Sequence, residues 1–120
     1  MLVELIGARW VLEIGTFTGY SALWMGTALP NDGRLTCCDL SEQWTSVARR
    51  YWRETGLEDR IELRLAPAIE TLDALIADRA DLALVENNVP FRSGIRAILP
   101  VFESVLHLAM SEAFLEGKPE

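Results

Sequence analysis

A short apolar run that ends in a glycine-rich turn limits the folds open to this chain more than any other segment. Residues 10–14 read Trp-Val-Leu-Glu-Ile, and residues 15–19 read Gly-Thr-Phe-Thr-Gly. Such a run bounded by glycine is typical of a buried strand in a parallel sheet. Residues 20–29 follow with apolar side chains at helical spacing. Because a strand, a tight turn and a helix in this order begin a crossover unit, the segment predicts an α/β fold.

The same alternation continues along the chain. Further strands are predicted over residues 34–38, 61–65 and 81–85, and further helices over residues 42–55 and 69–77. Alternating strands and helices with short connections imply a parallel sheet with helices on its faces and right-handed crossovers. We therefore expect a Rossmann-like sheet with flanking helices.

The pattern changes after Val85. Residues 86–94 contain proline and glycine and predict a loop, whereas residues 95–115 are apolar at helical spacing and predict a C-terminal helix. We expect one domain over residues 1–120, with a β-α-β core over residues 1–85. The remainder is a divergent loop and a C-terminal helix. Apolar side chains cover much of that helix, so a homodimer through it is a further prediction.

Tryptophan and cysteine side chains mark the expected core. Trp24 lies on the first predicted long helix, and Trp44 and Trp52 lie on the next, where apolar residues recur at three- and four-residue spacing. We expect all three in the core. Cys37 and Cys38 are adjacent in a predicted strand and point to opposite faces, so they are poor partners for a disulfide.

Charge and apolar pattern exclude several classes of protein. The formal net charge is −7, from 18 acidic and 11 basic residues. A nucleic-acid-binding protein, or one held on an anionic membrane, needs a basic footprint instead. No apolar run approaches the ~20 residues of a membrane-spanning helix, and the N-terminal segment is too short and too acidic for a signal peptide. Free thiols fit a reducing compartment, so we expect a cytoplasmic protein.

Candidate binding residues follow three of the predicted strands. Ligands of open parallel sheets bind beyond the carboxyl ends of the strands. The glycine loop, residues 15–19, permits a tight turn and a close approach of ligand, and the helix behind it offers N–H groups to a carboxylate. Asp39 ends the second strand, 24 residues after Gly15, near the ~20 expected of a ribose-binding acid. Ala68 lies after the third strand, where a purine could pack. Phe17 stands where GxGxxG has its second glycine, which disfavours NAD.

These motifs resemble those of class I S-adenosylmethionine-dependent O-methyltransferases, of the cation-dependent caffeoyl-CoA and catechol type. The similarity runs through residues 11–23 (VLEIGTFTGYSAL), Cys38-Asp39, residues 61–64 and residues 67–72. The resemblance implies that residues 1–85 bind S-adenosylmethionine. It also implies transfer of the cofactor's methyl group to a hydroxyl of a small, catechol-like acceptor.

The resemblance further assigns roles to single residues. Asp39 would bind the ribose, and Ala68 would flank the adenine. For Tyr20, packing at the start of the helix is the alternative to a cofactor contact. The contacts to the methionine part of the cofactor would be Glu13, Gly15, Thr16, Tyr20 and Ser21.

The resemblance weakens at the metal-binding segment. Family members carry Ile-Asp-Ala-Asp-Lys after the fourth strand, where the first acid binds magnesium, and a later Asp-Asn supplies two more ligands. This chain has VENNVPFRSG at residues 85–94. Glu86 could replace the first acid, because glutamate is also a hard oxygen ligand; a solvated loop acid is the alternative. In another alignment, Glu86-Asn87 or Asn87-Asn88, followed by Val89, resembles the later Asp-Asn segment, which requires the intervening helix and strand to be missing. The incomplete ligand set predicts a truncated or internally deleted relative. It leaves a catalytically inactive cofactor-binding or interaction module as the alternative function.

Overall fold

The structure, a computed structural model, describes residues 2–70, 81–86, 95–100 and 106–111. Helices and strands alternate up to the third strand, and strands alone are described after residue 80. The elements are α1 (Leu2–Leu5), β1 (Trp10–Ile14), α2 (Tyr20–Ala28), β2 (Arg34–Asp39), α3 (Glu42–Glu54), β3 (Ile61–Leu65), β4 (Leu82–Glu86), β5 (Ile95–Pro100) and β6 (Leu106–Ser111).

The six strands form one sheet in the order β3-β2-β1-β4-β6-β5. Strands β1 to β4 are parallel, with β1 paired to both β2 and β4 and with β3 paired to β2. The chain runs from β1 towards one side of the sheet and returns to the other side at β4. Because strand order reverses at β1, the carboxyl end of that strand is where such a sheet binds ligands. The predicted Rossmann-like parallel sheet with flanking helices is therefore confirmed.

The core forms around the two central strands. Val11, Leu12, Leu35 and both cysteines are buried, as expected of parallel strands with both faces covered. Neither cysteine is in a disulfide.

Helix α3 follows the sequence prediction closely. It begins after Ser41, whose hydroxyl accepts a hydrogen bond from the Trp44 amide at 3.3 Å. It ends before Gly56, which has φ 70° and closes the helix. Its buried side chains are Thr45, Ala48 and Trp52, so the predicted core position of Trp52 is confirmed.

Two of the three tryptophan predictions were wrong, because Trp24 is 53% exposed and Trp44 is 44% exposed. Helix α2 instead buries Ala22, Met25 and Gly26, and a Cβ on Gly26 would lie 3.1 Å from Ile61 Cδ1. That close approach turns Trp24 away from the sheet. On α3, Trp44 lies one position beside the buried stripe.

The predicted C-terminal helix was wrong over Ile95–Pro100 and Leu106–Ser111, which are strands. Strand β6 is antiparallel to β4 and to β5, and it places Leu106 opposite Glu86. Short apolar runs do not distinguish a strand from a buried helix, and pairing with β4 satisfies this backbone. The homodimer prediction was placed on that helix, so it loses its stated basis and stays untested.

Other predictions reach the limits of the described residues. The third long helix, expected over residues 69–77, is helical at residues 68–70, and the rest lies outside the described part. The fourth strand is Leu82–Glu86, one residue later than predicted. The predicted loop beyond Glu86 also lies outside the description. Within the described ranges, no helix has the length and apolar character needed to cross a membrane.

Candidate functional site

The glycine loop, residues 15–19, follows β1 with alternating left-handed backbone. Its φ angles are 86° at Gly15, 52° at Phe17 and 81° at Gly19. Glycine adopts these values freely, whereas phenylalanine does so at a cost. A Cβ on Gly19 would lie 2.5 Å from the Ala48 Cβ. The loop backbone therefore packs directly on α3, and only glycine fits at position 19.

Asp39 ties this loop to the next helix. Its Oδ2 accepts hydrogen bonds from the backbone amides of Thr16 at 2.9 Å and Phe17 at 2.8 Å, and its Oδ1 accepts one from the Ser41 amide at 2.8 Å. A carboxylate offers about four acceptor positions. The three amides leave one position on Oδ1 suited to a further donor, such as a hydroxyl.

The N-terminus of α2 lies at the end of the same loop. Gly19 is its N-cap residue, and no side chain caps the helix there. The first turn also contains no acidic residue. Amide groups of an uncapped first turn, together with the helix dipole, favour an anion.

Glu13 is fully buried beneath the loop. The Ser21 hydroxyl donates to its Oε1, and the Cys37 thiol donates to its Oε2 at 3.4 Å. Burial raises the pKa of Glu13 from 4.5 to about 7, although the Ser21 and Cys37 hydrogen bonds act in the opposite direction. Burial also raises the pKa of the Cys37 thiol, with the Glu13 charge adding to the effect. The sequence analysis missed the Glu13–Cys37 contact. Predicting it requires the register of β1 against β2, in which residues 13 and 37 are paired.

The remaining predicted site residues lie around this cluster. Thr16 is buried, with its hydroxyl 3.4 Å from the Cys38 carbonyl oxygen. Tyr20 is exposed and its ring meets Trp24 edge-on at 6.4 Å. Ala68 follows β3 and is half-buried. The structure thus joins Glu13 to Ser21, and joins Thr16 to Asp39, through hydrogen bonds. In the described residues Tyr20 and Ala68 lie outside those bonds.

Glu86 is the last residue of β4, at the same carboxyl edge of the sheet. The structure describes the backbone of Glu86 but not its side chain. Across the ranges described, no group of three or more His, Cys, Asp or Glu side chains could hold a metal ion. The predicted metal role of Glu86 therefore stays a prediction.

An aromatic pair at this edge was also missed from sequence. The rings of Phe17 and Trp44 have centroids 4.9 Å apart and planes inclined by 49°, and both side chains are exposed. Sequence reasoning placed Trp44 in the core, so it could not find this contact.

Comparison with known proteins shows the family of the chain and agrees with its fold. The sequence profile of the O-methyltransferase family matches residues 1–89. The catechol O-methyltransferase domain-containing protein 1 of Mus musculus is 45% identical over 76 residues, which cover 63% of this chain and 29% of that protein. Caffeoyl-CoA O-methyltransferase 1 of Eucalyptus globulus is 40% identical over 78 residues, covering 65% and 32%. The chain thus matches about a third of the length of these curated relatives.

Solved structures share the fold. An O-methyltransferase of Streptomyces achromogenes involved in tomaymycin synthesis, in complex with SAM, superposes with a TM-score of 0.68 at 23% identity, covering 92% of this chain and 76% of that one. An O-methyltransferase of Bacillus cereus in complex with SAH gives 0.66 at 20% identity, covering 92% and 77%. Because the family profile spans most of the sequence, the chain belongs to the O-methyltransferase family.

Proposed function

We propose that the chain binds S-adenosylmethionine at the carboxyl edge of β1 and β2, in an O-methyltransferase that methylates a hydroxyl of a small, catechol-like acceptor. One observation carries the binding proposal. The glycine loop joins the uncapped N-terminus of α2 to Asp39. A helix N-terminus suited to an anion and a carboxylate suited to a ribose hydroxyl therefore lie beside one short loop.

The described residues fit the cofactor part by part. The carboxylate of its methionine part would meet the first-turn amides of α2. A ribose hydroxyl would donate to the remaining acceptor position of Asp39 Oδ1. Ala68 would flank the adenine. When bound, S-adenosylmethionine supplies a methyl group on a positively charged sulfur.

Glu13 would act on the cofactor from beneath the loop. Its carboxyl group is buried and holds the Ser21 hydroxyl. This bond fixes the direction of the Ser21 side chain in the first turn of α2. A positively charged group of the cofactor above the loop would favour the ionised form of Glu13.

Related proteins support this proposal. Two of the structures with the same fold contain S-adenosylmethionine or S-adenosylhomocysteine. The curated relatives are named for catechol and caffeoyl-CoA O-methylation, which is the basis for proposing a hydroxyl acceptor. Magnesium, with Glu86 as a ligand, is a separate proposal that rests on the resemblance alone.

A second candidate is a catalytically inactive cofactor-binding or interaction module. Strand β6 is antiparallel to β4 and brings Leu106 opposite Glu86. The position paired with Glu86 on β6 is thus a leucine, a residue type whose side chain carries no metal-binding atom. This observation argues against metal-assisted binding of the acceptor, but it does not affect the proposed binding of the cofactor.

Calorimetric titration with S-adenosylhomocysteine tests the binding proposal. We expect micromolar affinity that is lost in Asp39→Ala and retained in Asp32→Ala, an exposed acid at the opposite edge. Transfer of labelled methyl groups from S-adenosylmethionine to catechol, with magnesium or with a chelator, then separates the two candidates. Binding without transfer would support the inactive module. Failure of the folded protein to bind would refute both.

A further inference from the structure

The Phe17–Trp44 pair is a contact at the carboxyl edge that the proposed function does not use. Phe17 is the middle residue of the glycine loop, and it has a left-handed backbone with φ 52°. Its side chain is more than half exposed, so burial in the core does not compensate for this conformation. Something else at the loop must hold Phe17 there.

Two contacts fix Phe17, and they converge on one short segment. The Phe17 amide donates to Asp39 Oδ2, and the Phe17 ring packs on the Trp44 ring. Trp44 itself is linked to Asp39: its amide donates to the Ser41 hydroxyl, and the Ser41 amide donates to Asp39 Oδ1. Phe17, Asp39 and the first turn of α3 therefore form a closed ring of contacts.

The two contacts differ in what a cofactor would do to them. A ribose hydroxyl on the free position of Asp39 Oδ1 would draw on the same carboxylate charge as the Thr16 and Phe17 amides on Oδ2, so both amide bonds would weaken somewhat. The ring contact with Trp44 involves no atom of Asp39 and would persist. It is therefore a contact that can hold Phe17 in the loop while the carboxylate takes on another donor.

We propose that Trp44 is a positioning residue: by packing on Phe17 it holds the glycine loop against Asp39. For cofactor binding, the inference rests on the function proposed above. A loop held in place before binding loses less conformational freedom when ligand arrives. Trp44 would thereby strengthen binding through its hold on the loop.

Hydrogen exchange at the Thr16 and Phe17 amides of the ligand-free protein tests the inference directly. An aromatic pair contributes an opening free energy equivalent to about a fivefold change in exchange rate. We therefore expect both amides to exchange about fivefold faster in Trp44→Ala. Trp44→Phe, which keeps a ring, should restore slow exchange. Tyr51→Ala is the matched control, because Tyr51 lies on the same helix and is 45% exposed; it should leave both amides unchanged.

A double-mutant cycle separates positioning from a general loss of stability. If Trp44 acts through Phe17, Trp44→Ala in a Phe17→Leu background should change exchange little, whereas independent effects would add. S-adenosylhomocysteine affinity should fall by a similar factor in Trp44→Ala and recover in Trp44→Phe.

Unchanged exchange in Trp44→Ala, or additive effects in the cycle, would overturn the inference whether or not the protein binds cofactor. Faster exchange with undiminished affinity would overturn its link to binding. A wild-type protein that does not bind, but whose loop amides respond to Trp44→Ala, would refute the proposed function and uphold the role of Trp44 in holding the loop.

Discussion

The two edges of the parallel sheet use the same hydrogen-bonding device for different ends. At the amino edge, Asp81 Oδ2 accepts from the backbone amides of Arg9 and Trp10 at 2.9 and 3.0 Å. At the carboxyl edge, Asp39 Oδ2 accepts from the amides of Thr16 and Phe17 at 2.9 and 2.8 Å. Asp39 is the last residue of β2, and Asp81 immediately precedes β4; both strands pair with β1. Each carboxylate accepts from two successive backbone amides next to one end of β1.

The surroundings of the two acids differ. Asp81 also donates its own amide to the Trp10 carbonyl at 2.9 Å, so it extends the pairing of β1 with β4. Asp39 instead holds a loop of left-handed residues beside an uncapped helix and an exposed aromatic pair. At the amino edge the carboxylate completes the pairing of two strands. At the carboxyl edge it fixes a loop that carries exposed side chains and free amide groups. The comparison teaches that surroundings, and not the acid, distinguish a structural carboxylate from a candidate binding one.

Replacement of Gly19 should have the largest effect on stability, because the backbone of the glycine loop packs directly on helix α3 at this residue. Gly19→Ala adds a Cβ 2.5 Å from Ala48 Cβ at a φ of 81°. Overlap and backbone strain together should lower the free energy of unfolding by about 4 kcal/mol. Gly56→Ala is the control, since Gly56 has φ 70° but nothing within 4 Å of the added Cβ; it should cost about 1 kcal/mol. Urea unfolding measures both, and equal losses would contradict the close packing.

The buried acid of the carboxyl edge should make stability depend on pH. The pKa of Glu13 is about 7 in the folded protein and 4.5 ordinarily, so between these values the folded state binds a proton that the unfolded state releases. The stabilisation is complete below pH 4.5 and is lost as pH rises to about 7. At about 1.4 kcal/mol per pKa unit, the loss is about 3 kcal/mol.

Glu13→Gln isolates this contribution from the other carboxyl groups. The difference in unfolding free energy between wild type and variant should fall by about 3 kcal/mol over that range and then stay level. Urea titrations at a series of pH values measure it. A difference that is flat with pH would show that Glu13 is not desolvated.

Paired substitution of the two acids tests the comparison itself. Asp39→Ala and Asp81→Ala each remove a charged acceptor of two amides, and each should lower the free energy of unfolding by about 2 kcal/mol. Only Asp39→Ala should abolish binding of S-adenosylhomocysteine. If both variants lose binding equally, the affinity reports general stability and the two edges are not functionally distinct.

The exposed ion pair at the amino edge should matter least. Arg9 Nη1 lies 2.8 Å from Asp32 Oδ2, and both side chains are mostly exposed. Solvent screening limits such pairs, so Arg9→Ala should change the free energy of unfolding by less than about 0.5 kcal/mol. Thermal unfolding detects it, and a large shift would indicate an unrecognised role for the Arg9 side chain.

The strands, loop and helices that meet at the carboxyl edge could be predicted from the sequence. Strand, glycine turn and helix follow local rules, so β1, α2, β2, α3 and the location of Asp39 could be read directly. The Glu13–Cys37 contact needed the register of β1 against β2. Local pattern does not supply that register.

Prediction failed where a pattern was compatible with two structures. Leu106–Ser111 is an apolar run that suits either a helix or a strand, and pairing with β4 decided between them. Trp24 and Trp44 have apolar spacing, but other residues of the same helices, among them Met25 and Trp52, are the buried ones. Composition identifies the apolar residues without identifying which of them a neighbour covers.

The two adjacent thiols of β2 can report how often the centre of the sheet opens. Cys37 and Cys38 are buried in a strand that has β1 on one side and β3 on the other. Cysteine is alkylated through its thiolate, which attacks the reagent, and the raised pKa of Cys37 keeps the thiolate scarce while the strand is in place. Modification must therefore wait until β2 separates from its neighbours. The rate at which iodoacetamide alkylates these thiols would therefore measure the fraction of molecules in which β2 is separated from β1 and β3, without an engineered label.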